Sequence, residues 1–112
     1  MTSIDHAPLA RVQVIPAKRF WQRLGGLLVR APLAAGQALH LEPCNSVHTC
    51  FMRYAIDVVF LDAQGRVMKI VPHLAPWRLS ACRGAHSCLE LRAGEAERLG
   101  LRAHDRLPAS FL

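Results

Sequence analysis

Apolar and polar positions alternate along Arg11-Val12-Gln13-Val14-Ile15, and β-branched residues dominate, which predicts a first strand ended by Pro16. Phe20, Leu24, Leu27 and Leu28 then recur at the spacing of one helical face. They predict a short helix whose Gly25-Gly26 pair lets it lie close against a sheet. Ala31 to Gly36 reads as a connection, and Ala38 to Glu42 as a short strand before Pro43. Asp57-Val58-Val59-Phe60-Leu61-Asp62 has the composition of a central strand. Asp62-Ala63-Gln64-Gly65 is a turn signal, and Arg66 to Val71 returns as the partner strand, so a β-hairpin is expected. Pro72 and Pro76 make His73 to Gly84 a loop or irregular edge. Cys88-Leu89-Glu90-Leu91 is a further strand, and Ala93 to Leu99 forms one to two helical turns. That helix has acids near its start, Arg98 near its end and Gly100 as its stop. Asp105 to Pro108 is a candidate last strand. Together these elements predict a mainly β to α+β fold, a compact barrel-like antiparallel or mixed sheet with two short helices. A single domain over residues 1–112 is expected, with about residues 1–10 as a flexible N-terminal segment.

If Val47 to Leu61 is one extended strand, residue order sorts roles by face. His48, Cys50, Met52, Tyr54, Ile56, Val58 and Phe60 then share an apolar face that belongs to the core. The other face carries Thr49, Arg53 and Asp57 between apolar residues, as a cleft lining would. Arg53 and Asp57 stand about 13 Å apart along a straight strand, so each needs a partner from elsewhere if buried. Arg23 and Glu90 are the candidates. Asp57 reads either as a structural carboxylate that caps a turn or holds an arginine, or as a group facing a ligand. His48 reads either as an ordinary core or rim histidine or as part of a site. The flanking glycines of a nucleophile elbow are missing around Ser46, and no glycine-rich phosphate loop follows a strand.

Composition narrows the classes further. The chain has 112 residues, 52% hydrophobic and 20% charged, a globular balance. Its longest run without a charged residue, Ala31 to Leu41, falls well short of the ~20 residues a membrane helix needs, so no membrane insertion is expected. The first residues show no secretory pattern, and a cytoplasmic location is expected. Fourteen basic against eight acidic residues give a net charge of +6. The basic residues are dispersed and are not interleaved with aromatics, so specific nucleic-acid recognition is not expected. Cys44, Cys50, Cys82 and Cys88 form two pairs spaced too widely for a tight-turn zinc site. On an extended strand Cys44 and Cys50 are also too far apart to bridge, whereas a bridge between the two pairs remains open. The expectation is reduced thiols, no metal and no cofactor.

Four segments then bear on identity. They are Arg23-Leu24-Gly25-Gly26-Leu27-Leu28-Val29-Arg30, Ser46-Val47-His48-Thr49-Cys50-Phe51-Met52-Arg53, Ile56-Asp57-Val58-Val59-Phe60-Leu61-Asp62 and Leu89-Glu90-Leu91-Arg92-Ala93-Gly94. In this order and spacing, over roughly residues 11 to 108, the chain resembles the domain of unknown function 192, a small bacterial and archaeal family. The resemblance implies a compact β-rich, barrel-like fold with short helices at its rim, and no established activity. It also implies recurring positions at Arg23, Gly26, Asp57, Phe60, Glu90, Gly94 and Asp105, with Gly26, Phe60, Glu90, Gly94 and Asp105 as scaffold. His48 stands where an aromatic residue is commoner, Ala55 where proline is frequent, and His104-Asp105 where Gly-Asp is usual.

The leading functional expectation is a non-enzymatic module that binds a small ligand or anion. Arg23, His48, Thr49, Arg53, Asp57 and Trp77 would line its site. Arginine offers a planar fork for a carboxylate or phosphate, and Trp77 a wall or platform. The alternative is an interaction module that docks an acidic protein partner through a basic surface. An acid/base enzyme using His48 and Asp57 comes third. A concave pocket around His48 or Asp57 favours binding or catalysis, and an exposed apolar patch rimmed by arginine favours the partner.

Overall fold

The computed structural model describes residues 12–16, 33–50 and 52–108. Among them are seven strands: β1 (Gln13–Pro16), β2 (Gln37–Leu41), β3 (Ser46–His48), β4 (Ile56–Leu61), β5 (Val67–Leu74), β6 (Leu79–Ala81) and β7 (Ser87–Arg92). One helix, α1 (Glu95–Arg98), follows. The expected helix over Phe20 to Leu28, with Arg23 and Gly26, lies outside the described residues, as does the N-terminal segment 1–10. The second expected helix is α1, a single turn, so the described residues contain one short helix and not two.

Five strands form a mixed sheet in the order β1-β2-β7-β4-β5, and β3 and β6 form a separate antiparallel ribbon. β1 runs parallel to β2, and the remaining pairs are antiparallel. This corrects the barrel-like expectation, because β1 and β5 end as opposite edges and the sheet does not close among the described residues. The physical reason lies in β4 and β7. A small closed barrel fills its inside with one face of each strand, whereas every residue of β4 is buried, on both faces. One face carries Val59, Leu61, Leu89 and Leu91 under Ala96, Leu99, Leu101 and Leu107 from α1 and the segment after it. The other carries Ile56, Val58, Phe60 and Cys88 under Val47 of the ribbon, with Cys82 and Met52 packed alongside. The sheet is therefore a middle layer covered on two sides.

The expected hairpin is present. The Asp62 carboxylate accepts the N–H groups of Gln64 and Arg66 at 2.9 and 2.8 Å, and Gly65 takes a positive φ of 80° that glycine adopts without steric cost. Beyond it, β5 continues through Pro72 to Leu74. As an edge strand, β5 needs no N–H on its outer side, which is where a strand tolerates proline. The segment expected as an irregular loop therefore holds the end of β5 and all of β6. The candidate last strand reduces to one bridge between Arg66 and Arg106.

The continuous strand from Val47 to Leu61 is also corrected. The Thr49 carbonyl takes the Met52 N–H at 3.1 Å, closing a turn that separates β3 from β4. The break reverses parity before it: Val47 is buried and His48 exposed. Within β4 the alternation holds.

Candidate functional site

Thr49 fastens the ribbon to the loop that leads into it. Its N–H donates to the Arg78 carbonyl at 2.9 Å, and its own carbonyl accepts the Trp77 N–H at 3.0 Å. Its hydroxyl donates to the Ala75 carbonyl at 2.6 Å and accepts the Arg78 N–H at 2.9 Å. All this occurs at a residue with no solvent exposure, where each polar group must find a partner. The loop so held carries Trp77 at φ 62°, a left-handed conformation uncommon for a bulky residue.

The clamp leaves apolar surface in water. Trp77 is 58% exposed and Leu79 73%. His48 lies opposite Leu79 in the ribbon register, so the two share a face, and His48 too is exposed. Arg78 donates from Nη1 to the Trp77 carbonyl at 3.3 Å, and Arg53 is exposed in the bend that follows the Thr49 turn. The structure thus brings His48, Thr49 and Trp77 together, with Arg53 close along the chain. Arg23 lies outside the described residues. Leu79 and Arg78 were not singled out from the sequence as site residues. The available signal was the absence of any acidic residue from Ala63 to Leu89.

Asp57 stands elsewhere. Its ladder partner is Leu91, on the face covered by α1. Oδ1 accepts the His73 N–H at 2.9 Å, and Oδ2 accepts those of Gly94 and Ala96 at 3.0 and 2.9 Å. The described partners of this buried carboxylate are main-chain amides; Arg23, the cation expected to hold it, lies outside the described residues. Arg53 is exposed, so it does not need a buried partner. His48 and Asp57 lie in different layers and do not share a surface.

The scaffold positions find separate places. Phe60 is fully buried beside Cys88, and Glu90 is buried at its ladder position opposite Val58. Gly94, at φ 94°, caps α1. The Asp105 carboxylate accepts the Arg102 N–H at 2.9 Å, and its carbonyl accepts the Val67 N–H at 2.7 Å. His104 beside it takes φ 75°, a left-handed conformation that glycine adopts without strain.

A second corner gathers titratable groups where β2 ends against β7. His86 Nε2 lies 3.2 Å and His40 Nε2 3.9 Å from the Glu42 carboxylate. Burial holds the His40 imidazole below its ordinary pKa; Glu42 opposes that shift and His86 adds to it. Cys44 and Cys88, one from each sequence pair, meet here with their sulfurs 2.8 Å apart. Among the described residues, no group of three or more His, Cys, Asp or Glu is placed to hold a metal ion. No helix among them is long and apolar enough to cross a membrane.

The DUF192 family, an uncharacterized ACR, matches residues 2–109. A UPF0127 protein from Pyrococcus furiosus is 34% identical over 111 residues, covering 96% of this chain and 95% of its own length. Two solved structures share the fold. A protein of unknown function from Novosphingobium aromaticivorans superposes with a TM-score of 0.66 at 21% identity, over 86% of this chain and 72% of the other. A protein from Sinorhizobium meliloti 1021, named as a candidate transcription regulator, gives 0.68 at 23% identity, over 90% of this chain and 81% of its own. At these identities the likeness speaks for fold alone.

Proposed function

The chain belongs to the DUF192 family, and from that premise we propose that it is an interaction module docking an acidic protein segment on the ribbon surface around Trp77 and Leu79. The observation that carries this reading is an exposed tryptophan and leucine held in water by a fully buried threonine clamp. Large apolar side chains fixed in an exposed position mark contact surfaces more often than scaffold. Charge selects the partner. The segments 43–56 and 63–89, which contain both ribbon strands, carry Arg53, Arg66, Lys69, Arg78 and Arg83 and no Asp or Glu. A partner with carboxylates beside an apolar anchor complements that surface, and arginine forks suit carboxylates.

The anion-binding reading shares His48, Arg53 and Trp77 with this surface, but Asp57 is engaged with main-chain amides in the other layer. An exposed ribbon gives a small anion little desolvation, whereas a peptide covers Trp77 and Leu79 together. The test is fluorescence anisotropy with labelled acidic peptides that carry one aromatic or aliphatic anchor, against basic peptides of matched length. Acidic peptides should bind, more weakly as salt rises. Trp77→Ala and Leu79→Ser should each weaken binding at least about tenfold, and Arg78→Glu should reduce it further. Binding that is indifferent to these substitutions overturns the reading. So does equal competition by free phosphate or acetate, which would restore the small-anion site.

A further inference from the structure

We propose that Cys44 and Cys88 form a paired thiol site that hydrogen peroxide converts to an intramolecular disulfide, fastening the start of the ribbon to the central sheet. The two residues are far apart in sequence, yet the fold sets them together by main-chain bonding. Leu41 at the end of β2 pairs with Cys88 in β7, and the chain then turns so that the Cys44 N–H donates to the His86 carbonyl at 3.1 Å. Cys44 is thus held by a residue two positions before Cys88, and the sulfurs stand 2.8 Å apart. Closing to the ~2.05 Å of a disulfide needs only a small side-chain movement.

The partners differ in access, which fixes their roles. Cys88 is fully buried, while Cys44 is partly exposed, with its thiol donating to the Ser46 carbonyl at 3.2 Å. Burial, reinforced by the Cys44 contact, raises the Cys88 thiol well above the usual cysteine range, so it is a poor first nucleophile. Cys44 therefore meets the oxidant. Its sulfur, as thiolate, attacks one peroxide oxygen and the O–O bond breaks. Hydroxide leaves and takes up the proton Cys44 released, giving a sulfenic acid and one water. The Cys88 sulfur then attacks the Cys44 sulfur, the S–O bond breaks, and the oxygen departs with the Cys88 proton as a second water. Two thiols and one peroxide become one disulfide and two waters; the sulfurs are oxidised and the peroxide oxygens reduced. Cys82 packs in the same apolar layer and supplies the internal control, because it offers a nearby thiol without the short contact.

The full chain is treated with hydrogen peroxide, alkylated without reductant, digested and mapped by mass spectrometry. The expected product is one linked peptide pair containing Cys44 and Cys88, with Cys50 and Cys82 alkylated. Oxidation should raise Tm by about 5 °C or more, reversibly on reduction, because the bond constrains the unfolded chain. Cys44→Ala, at a partly exposed position that tolerates change, should abolish both effects, and Cys82→Ala should abolish neither. Four alkylated thiols after peroxide treatment, a link through Cys82 or Cys50, or a disulfide between two chains overturns the proposal. So does a Cys44–Cys88 link that fails to raise Tm.

Discussion

Asp57 directs two carboxylate oxygens at three main-chain amides, drawn from the end of β5 and the start of α1. It sits at a register shift between Ile56 and Val58, where β5 accommodates an irregularity and His73 takes φ 49°. The carboxylate thus does for this strand pair what ladder bonding cannot. Asp57→Ala leaves those donors without an acceptor in a mostly buried place. At about 1–3 kcal/mol for each stranded donor, reduced where water reaches the partly buried ones, the expected loss is about 3–5 kcal/mol. Urea unfolding of the variant measures it, and a loss below about 1 kcal/mol would show that the amides find other partners. The apolar flanks of Asp57 made its need for a partner legible in the sequence. The identity of the partners was not legible, because main-chain donors 37 and 39 residues away leave no mark on side-chain composition.

Elements were legible where a turn and its flanks agreed. Asp62 to Gly65 places its carboxylate and its glycine as one device, and the hairpin around it forms as expected. The stretch from Val47 to Leu61 reads as one strand because a turn closed by a main-chain bond leaves no mark in the sequence, although it reverses the parity of the faces. Helix α1 is too short to stand by its own hydrogen bonds, and a side chain ties it to β2. The buried Glu95 carboxylate accepts the Gly36 N–H at 2.8 Å and a forked pair of bonds from Arg98. The Arg98 bonds hold Glu95 below the ordinary carboxylate range, against the opposing effect of burial and with support from Gly36. With its folded pKa depressed, Glu95 stabilises the fold fully above the ordinary range and loses that contribution as pH falls through the folded value. Arg98 is half exposed, so water screens the pair and the contribution is modest. Glu95→Gln should therefore be less stable than the parent at neutral pH, with the difference shrinking as pH falls below about 4.5. Urea midpoints from pH 7 to pH 3 report it, and a constant difference across that range would show that Glu95 does not titrate with folding.

At the scale of the whole molecule, the two layers over the sheet are held differently. The α1 side is sealed by Ala96, Leu99, Leu101 and Leu107, whereas the ribbon contributes Val47 as its buried anchor and otherwise half-buried neighbours. Among the described residues the ribbon has only its own ladder, while β4 and β7 each pair on both sides. Stability should therefore be graded, with β4 and β7 opening only on global unfolding and the ribbon opening locally at lower cost. Thr49 sets that lower cost, since its hydroxyl supplies two of the bonds that close the loop onto β3. Thr49→Val keeps the shape and removes both, leaving the Arg78 N–H and the Ala75 carbonyl to find water. The expected penalty of about 1–3 kcal/mol falls on the local opening, which is roughly one to two decades in exchange rate. Native-state hydrogen exchange should then show amides in residues 75–81 exchanging that much faster in the variant. The slowest amides of β4 and β7 should move only with the small change in global stability. Peptides docking on Trp77 should keep nearly all their affinity, because apparent affinity falls only by the competent fraction and the closed loop still dominates. Equal acceleration across β4, β7 and the ribbon would mean that the molecule opens as one unit, and the graded picture of sheet and clamp would fail.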